Sequence, residues 1–286
     1  MTVMTQPRDG ALAGRAVGRI GYGAMQLESG ADGVAVLRRA VELGVGHIDT
    51  AGFYGNGAVN ALLREALHPY PDDLLLVDKV GAVHTSGGLV PAQQPGQLRA
   101  AVEADLRALD AEQLAVVNLR RVDAPPGIVA TGDQIVDLDD QLAELVSLRD
   151  EGKIGAIGLS NVSVDQLRHA APAGIACVQN LYNLLERDEE PLLAECCSRG
   201  IAFVPYFPLG SGFPDRRKVV GDDVVRDIAG RLGATPSQVG LAWLLARDPH
   251  ILLIPGTRSL DHLEQNMAAR EVELDAAMLA ALDSRV

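Results

Sequence analysis

The sequence predicts a single (β/α)8 TIM barrel with extra C-terminal helices, occupying residues 1–286 as one domain. Three observations carry that prediction. The chain is 286 residues long, close to the ~250 that an α/β barrel needs. Short apolar runs alternate with amphipathic stretches throughout, as they do where parallel strands are joined by right-handed helical crossovers. Eight such runs are spread evenly along the chain, which favours a closed barrel over an open sheet.

In order, strands are predicted at Arg19–Gly23, Gly46–Asp49, Leu74–Val80, Leu114–Leu119, Gly155–Leu159, Ile175–Gln179, Ala202–Tyr206 and Ile251–Ile254. They are near-continuous apolar runs, as expected of strands covered on both faces. The first is short, and a hairpin across the barrel bottom is the alternative reading of that segment. Helices are predicted at Gly33–Leu43, Ala58–Leu67, Pro95–Leu109, Leu138–Glu151, Val164–His169, Pro191–Arg199 and Pro236–Ala246, with extra ones at Val220–Leu232, Leu260–Arg270 and Asp275–Leu282. Thr235–Gln238 and Ser163–Gln166 read as capping boxes, the former with Pro at the first helical position. Gly44, Gly152, Gly200 and Gly233 follow helical stretches, as C-cap glycines do. Pro91–Pro95 and Asp123–Gly132 read as loops.

Hydrophobic residues make up 48% of the chain and aromatics only 3%, so Val, Leu, Ile and Ala must fill the core. The formal net charge of −13 argues against nucleic-acid and membrane-surface partners; an anionic ligand must meet a local cation. Of the three cysteines, Cys196 and Cys197 are adjacent, which suggests no disulfide framework and fits a reducing cytoplasm. The N-terminal stretch has no apolar signal core, and no apolar run approaches the ~20 residues of a membrane span. No His, Cys, Asp or Glu cluster has metal-ligand spacing, so no metal is expected.

In a parallel barrel, functional groups gather at the C-terminal ends of the strands. The polar residues there are Asp49, Lys79, Asn118, Arg120, Ser160, Asn161, Gln179, Tyr206 and Arg258, with Tyr54 in the loop after Asp49. Carbonyl reduction by hydride needs a proton at the oxygen. A free tyrosine, at a pKa of ~10, gives one reluctantly; a neighbouring ammonium is expected to lower that pKa, and a carboxylate to hold the ammonium. Asp49, Lys79 and Tyr54 are thus a coherent acid-catalyst group. Separately they would be a helix cap, a rim charge and loop packing; together, at consecutive strand ends, the functional reading is favoured.

The stretches GHIDTAGFYGNG, LLLVDKVG, GKIGAIGLSN, CVQNLYN, VPYFPLGSG and IPGTRSLDHLEQN resemble the aldo-keto reductase family, in order and at its spacing. The resemblance implies NADPH-dependent reduction of a small-molecule carbonyl by a tetrad of Asp, Tyr, Lys and His. Asp49, Tyr54 and Lys79 match the first three. The fourth place, in AVVNLRRVD, holds Arg120. An arginine does not give up a proton in proteins, but it can donate hydrogen bonds to an oxyanion. RIGYGAMQL, VVNLR and CVQNLYN further resemble the family's bacterial pyridoxal reductases, which implies reduction of pyridoxal to pyridoxine, with Arg120 pairing the ring oxyanion beside the aldehyde. An ion pair of Arg120 with Asp49 or Asp123 is the bland alternative.

The same resemblance implies that Ser160, Asn161 and Gln179 hold the nicotinamide carboxamide and that Tyr206 stacks under its ring. Leu209, Gly210 and Ser211 would lie along the pyrophosphate. Arg258, Ser259, His262, Gln265 and Asn266 would hold the adenosine end, with Arg258 on the 2′-phosphate at a helix N-terminus. Met25, Phe53 and Asn118 are expected to face the substrate. No GxGxxG follows the first strand, which argues against a Rossmann site. The competing readings are an aldo-keto reductase acting on another aldehyde or ketone and, because the histidine is absent, a catalytically impaired NADPH-binding regulatory subunit.

Overall fold

The computed structural model describes residues 9–210 and 217–285. Strands β1 (Gly10–Leu12) and β2 (Arg15–Val17) form an antiparallel hairpin. Its two-residue turn, Ala13–Gly14, has both φ values positive, the geometry that matches the twist of paired strands. Seven strands then line up in one parallel sheet: β3 (Tyr22–Gly23), β4 (His47–Asp49), β5 (Leu75–Val80), β8 (Leu114–Arg120), β9 (Ile154–Ser160), β10 (Ile175–Gln179) and β11 (Ala202–Phe203). Between β5 and β8 the chain makes a second antiparallel hairpin, β6 (Ala82–Thr85) with β7 (Gly88–Pro91).

The sheet closes through 251–253. Ile251 bridges Phe203 in parallel on one side and Leu253 bridges Ile20 on the other. Backbone bonds from Leu252 N to Phe203 O (2.9 Å) and from Gly21 N to Leu253 O (2.7 Å) seal the seam. This segment is the eighth barrel strand. The chain therefore has both the predicted first strand and a separate hairpin ahead of it. Leu12 and Val17 of that hairpin plug the barrel bottom against Leu75, Val116, Cys177 and Leu252. The larger apolar layer lies between the strands and the helices around them.

The helices are α1 (Ala31–Glu42), α2 (Ala58–Leu67), α3 (Pro95–Leu109), α4 (Leu138–Asp150), α5 (Val164–Ala170), α6 (Glu190–Ser198), α7 (Asp223–Leu232), α8 (Pro236–Arg247), α9 (Leu260–Met267) and α10 (Ala276–Asp283). The boxes at Ser163 and Thr235 form as expected. Gly44, Gly152, Gly200 and Gly233 all take positive φ, the left-handed conformation that ends a helix without a Cβ penalty. The predicted helix Leu260–Arg270 is shorter, because a 3-10 turn at Ala268–Glu271 tightens its end. Among the described residues no helix is long and apolar enough to cross a membrane.

Candidate active site

Strand alternation decides what reaches the rim. On β4, His47 and Asp49 face the barrel interior one layer apart. A Cβ at Gly21 would lie 2.2 Å from His47 Nε2, so that position must be glycine. Burial pushes His47 down to about 4, leaving a neutral ring beneath Asp49. On β5, Lys79 follows Leu75 and Val77 on the same face, and its register partner on β8 is Asn118. The loop after β4 turns back through a bond from Tyr54 N to Ala51 O (3.0 Å) and lays Tyr54 over the two.

The three predicted residues meet. Lys79 Nζ donates to Asp49 Oδ1 at 3.0 Å and to Tyr54 OH at 2.9 Å. Tyr54 OH lies 3.4 Å from Asp49 Oδ2. Lys79 and Asp49 are almost fully buried. The Tyr54 ring stands edge-on to Phe53, with centroids 5.2 Å apart, so Phe53 serves first as packing for the phenol. Burial, reinforced by the Asp49 charge, pushes the Tyr54 phenol up to about 12; Lys79 and Arg120 pull it down without prevailing. This corrects the expected lowering. An ammonium lowers a phenol's pKa in water, but here desolvation penalises the phenolate first. Burial likewise works against the Lys79 ammonium, yet Asp49 and then Tyr54 outweigh it and hold its pKa above the ordinary lysine value.

Arg120 ends β8, and its charge acts on Tyr54. Its Nε is buried without a hydrogen-bond partner. Asp123, one of the two partners of the alternative reading, is taken by Arg121 through paired bonds of 2.8 Å. Among the described residues no carboxylate forms an ion pair with Arg120. Gly127 gives the guanidinium room: a Cβ there would sit 2.7 Å from Arg120 Nη2. Asn118 lies lower than expected. It is fully buried, it accepts from Cys177 Sγ at 3.3 Å, and its Nδ2 has no partner.

Gln179 shows what the sequence could not. Its Nε2 donates to Asp49 Oδ1 at 2.8 Å, bracing the carboxylate from the far side of the barrel, while its Oε1 is a buried acceptor without a donor. Ser160 is buried at the end of β9. Asn161 takes a positive φ of 58° and spends Nδ2 on the carbonyls of Arg121 and Ala124, each at 3.1 Å. Neither caps α5, whose cap is Ser163.

A cleft of about 640 Å3, open to solvent, runs from Asp49 and Tyr54 past Met25 to Tyr206, Leu209 and Gly210. Tyr206 is fixed by its N–H to Asn180 O (3.0 Å). Gly210 turns with φ 82°, and a Cβ there would strike Arg217 O at 2.4 Å. Ser211 lies outside the described residues. A second groove of about 720 Å3 opens between residues 27–33 and Arg258. Its lining adjoins that of the first along the chain, with Leu27 next to Gln26 and Arg258 two places after Gly256. Arg258 is exposed and forms an ion pair with Glu28 across this groove, a partner 230 residues away that no sequence signal marks. Ser259 caps α9 by accepting from His262 N at 3.3 Å. His262 is exposed on the first turn of α9, Gln265 is half-buried and Asn266 is buried.

One group of potential metal donors exists among the described residues: Cys197, Asp248 and His250, at the opposite end of the barrel. Spacing did not reveal it, because its members come from two elements. Asp248 Oδ1 is already engaged by the N–H and the Nδ1 of His250, both at 2.8 Å, and burial pushes the Cys197 thiol up to about 12.

A phenol, an ammonium and a carboxylate joined at the C-terminal rim of a parallel barrel, beside a cleft open to solvent, make an acid-catalysis site suited to reducing a carbonyl. The aldo/keto reductase family model matches residues 19–286. The chain belongs to the aldo/keto reductase family, NADP-dependent oxidoreductases of carbonyl and alcohol groups. It is 43% identical over 283 residues, 95% of this chain and 96% of the other, to pyridoxine 4-dehydrogenase of Escherichia coli (strain K12). It is 27% identical, at a TM-score of 0.80, to an aldo/keto reductase from Klebsiella pneumoniae in complex with NADP and acetate, covering 94% of this chain and 91% of that one. An aldo-keto reductase from the same organism in complex with NADPH also scores 0.80 at 27% identity, over 99% and 95% of the two chains.

Proposed function

We propose that this protein is an NADPH-dependent pyridoxal reductase in which Tyr54 supplies the proton. The residues in the cleft and behind its Asp49 wall suit the cofactor. The buried, partnerless Oε1 of Gln179 offers an acceptor for a carboxamide NH2, and the Tyr206 ring, lining the same cleft as Tyr54, offers an aromatic floor. NADPH supplies the hydride. Tyr54 passes its hydroxyl proton to the carbonyl oxygen, the phenolate so formed sits 2.9 Å from Lys79 Nζ, and solvent restores the proton. Because the phenol stays protonated up to about 12, the donor is loaded at every pH near neutrality. Asp49, braced by Gln179, fixes the ammonium, which stabilises the phenolate only as it forms, the condition for lowering the barrier.

The observation that carries the substrate is Arg120. A guanidinium without a carboxylate partner, whose charge acts on the proton donor, suits a carbonyl with an oxyanion next to it, and pyridoxal has a ring hydroxyl ortho to its aldehyde. The 43% identity to a pyridoxine 4-dehydrogenase supports the same reading. The intact Asp49–Lys79–Tyr54 contacts favour a working enzyme over a regulatory subunit. Steady-state NADPH oxidation tests the substrate. Arg120→His should lower kcat/KM for pyridoxal about ten- to a hundredfold, the scale of a lost charge-assisted hydrogen bond, and leave a simple aldehyde such as benzaldehyde far less affected. Unchanged pyridoxal turnover, or equal loss for both, removes the basis for the assignment.

Arg258 is the cation at the adenosine end. Arg258→Ala should weaken NADPH binding about tenfold while changing NADH little, since a guanidinium pairs well with a phosphate. Fluorescence titration reads both, and equal losses would show that Arg258 does not touch the 2′-phosphate.

A further inference from the structure

Behind the Asp49–Tyr54–Lys79 cluster, outside the barrel wall, lies a second pair of carboxyl groups for which the reduction has no direct use. Asp78 precedes Lys79 on β5 and is wholly buried; Asp105, on α3, is nearly so. Neither oxygen of Asp78 receives a hydrogen bond of normal geometry. Its side chain faces the carboxyl of Asp105. Asp105 in turn is tied to the loop that carries Tyr54. It accepts from Asn60 Nδ2 at 3.0 Å, and Asn60 Oδ1 accepts from Thr50 Oγ1 at 2.6 Å. It also lies so close to the loop that a Cβ at Gly52 would be 2.2 Å from its Oδ1.

Two ionised carboxylates pressed together out of water repel, and such pairs keep a proton. A carboxyl pair makes a hydrogen bond only when one member is protonated. We propose that Asp78 and Asp105 share one proton at neutral pH, and that the bridged pair is a positioning device holding Lys79 and the Tyr54 loop at their working distance. The charge that acts on the pair is that of Lys79, which leaves the same strand on its inner face; α2 presents Asn60 and the loop presents Thr50 and Gly52, none of which titrates. Burial and then the Asp105 charge raise Asp78 well above the usual carboxylate range, and burial raises Asp105 to about 6. Folded pKa values above the unfolded ones mean that the stability tied to these protons is full below the ordinary carboxylate pKa. It is lost as pH rises, first through about 6 for Asp105 and then further as Asp78 ionises.

Asp78→Asn replaces the bridging proton with an amide N–H that cannot titrate, and Asp78→Ala removes the bridge. The kinetic arm rests on Tyr54 as the donor; the spectroscopic and melting arms do not, so failure of that reading leaves them intact. The wild-type infrared spectrum at pH 7 should show a carboxylic-acid C=O band that Asp78→Asn lacks. Asp78→Asn should gain on the wild type in melting temperature as pH rises above the ordinary carboxylate range, the margin growing until Asp78 itself ionises in the folded wild type. Asp78→Ala should lower kcat for pyridoxal about tenfold or more with KM nearly unchanged, as a displaced catalytic group does, and Asp78→Asn should restore it. The proposal is overturned if the wild type has no such band, or if the band survives in Asp78→Asn. It is also overturned if the two melting profiles run parallel across pH, or if the Asn variant is as slow as the Ala variant. Should Asp78→Ala fail to fold, the Asn variant's spectrum and melting profile decide the matter alone.

Discussion

Tyr54→Phe is expected to lower kcat by about 10²–10⁴-fold, the range that a positioned general acid supplies, while NADPH binding stays near normal. The substitution removes one oxygen and little else. The Phe ring keeps its edge-on contact with Phe53 at the same 5.2 Å spacing of centroids, so the loop has no reason to move. Lys79 loses its 2.9 Å bond to the hydroxyl but keeps Asp49 at 3.0 Å, so no buried charge is stranded and stability should change little. What disappears is the one hydroxyl that, among the described residues, is in contact with both Asp49 and Lys79. The rate loss should therefore fall on kcat, because the missing bond strengthens only as the carbonyl oxygen gains charge. Steady-state kinetics with a separate NADPH titration reads both quantities. A near-normal kcat would mean that another group delivers the proton.

Lys79→Met should be more damaging to the protein as a whole, because two effects add. The phenol loses the strongest influence opposing its rise to about 12, so the phenolate left after proton transfer is uncompensated and kcat falls by at least about 10²-fold. Asp49 also loses its cation while almost fully buried, with Gln179 Nε2 at 2.8 Å as its main remaining donor. Breaking a buried pair from one side costs about 3–5 kcal/mol. The sign with pH follows from proton linkage: protonating the stranded carboxylate relieves the penalty, so the deficit in melting temperature should be small at acidic pH and grow as pH rises. Adding Asp49→Asn to Lys79→Met should recover stability without recovering turnover. A Lys79→Met protein that melts like the wild type at pH 8 would mean that the ion pair does not hold the site together.

The fold was legible because barrel strands covered on both faces leave apolar runs of a length and spacing that little else produces. The hairpin at Ala82–Thr85 and Gly88–Pro91 was not read, since its turn and flanks, His84 to Gly88, carry polar and glycine residues and its strands are only partly buried. At the site, the ends of consecutive strands brought Asp49 and Lys79 to the rim, and the loop AGFYG carried Tyr54 to them. Alternation explains the error with Asn118. It shares a face with Arg120 but sits one layer deeper, where Cys177 meets it. Contacts between elements far apart in the chain left no trace in the sequence. The bond of Gln179 to Asp49, the pairing of Arg258 with Glu28 and the meeting of Asp78 with Asp105 exist only once the barrel has closed. The direction of the Tyr54 pKa was missed for a related reason: residue types show which charges are near, but the extent of desolvation depends on packing that they do not encode.

The most direct test of the account is a crystal structure of the protein with NADP+ and pyridoxine bound. It should show the nicotinamide between Tyr54 and Tyr206 with its amide on Gln179, the 4′-hydroxymethyl oxygen in hydrogen-bond contact with Tyr54 OH, and the ring oxygen on Arg120. A nicotinamide lodged elsewhere, or a Tyr54 hydroxyl turned away from that oxygen, would contradict it.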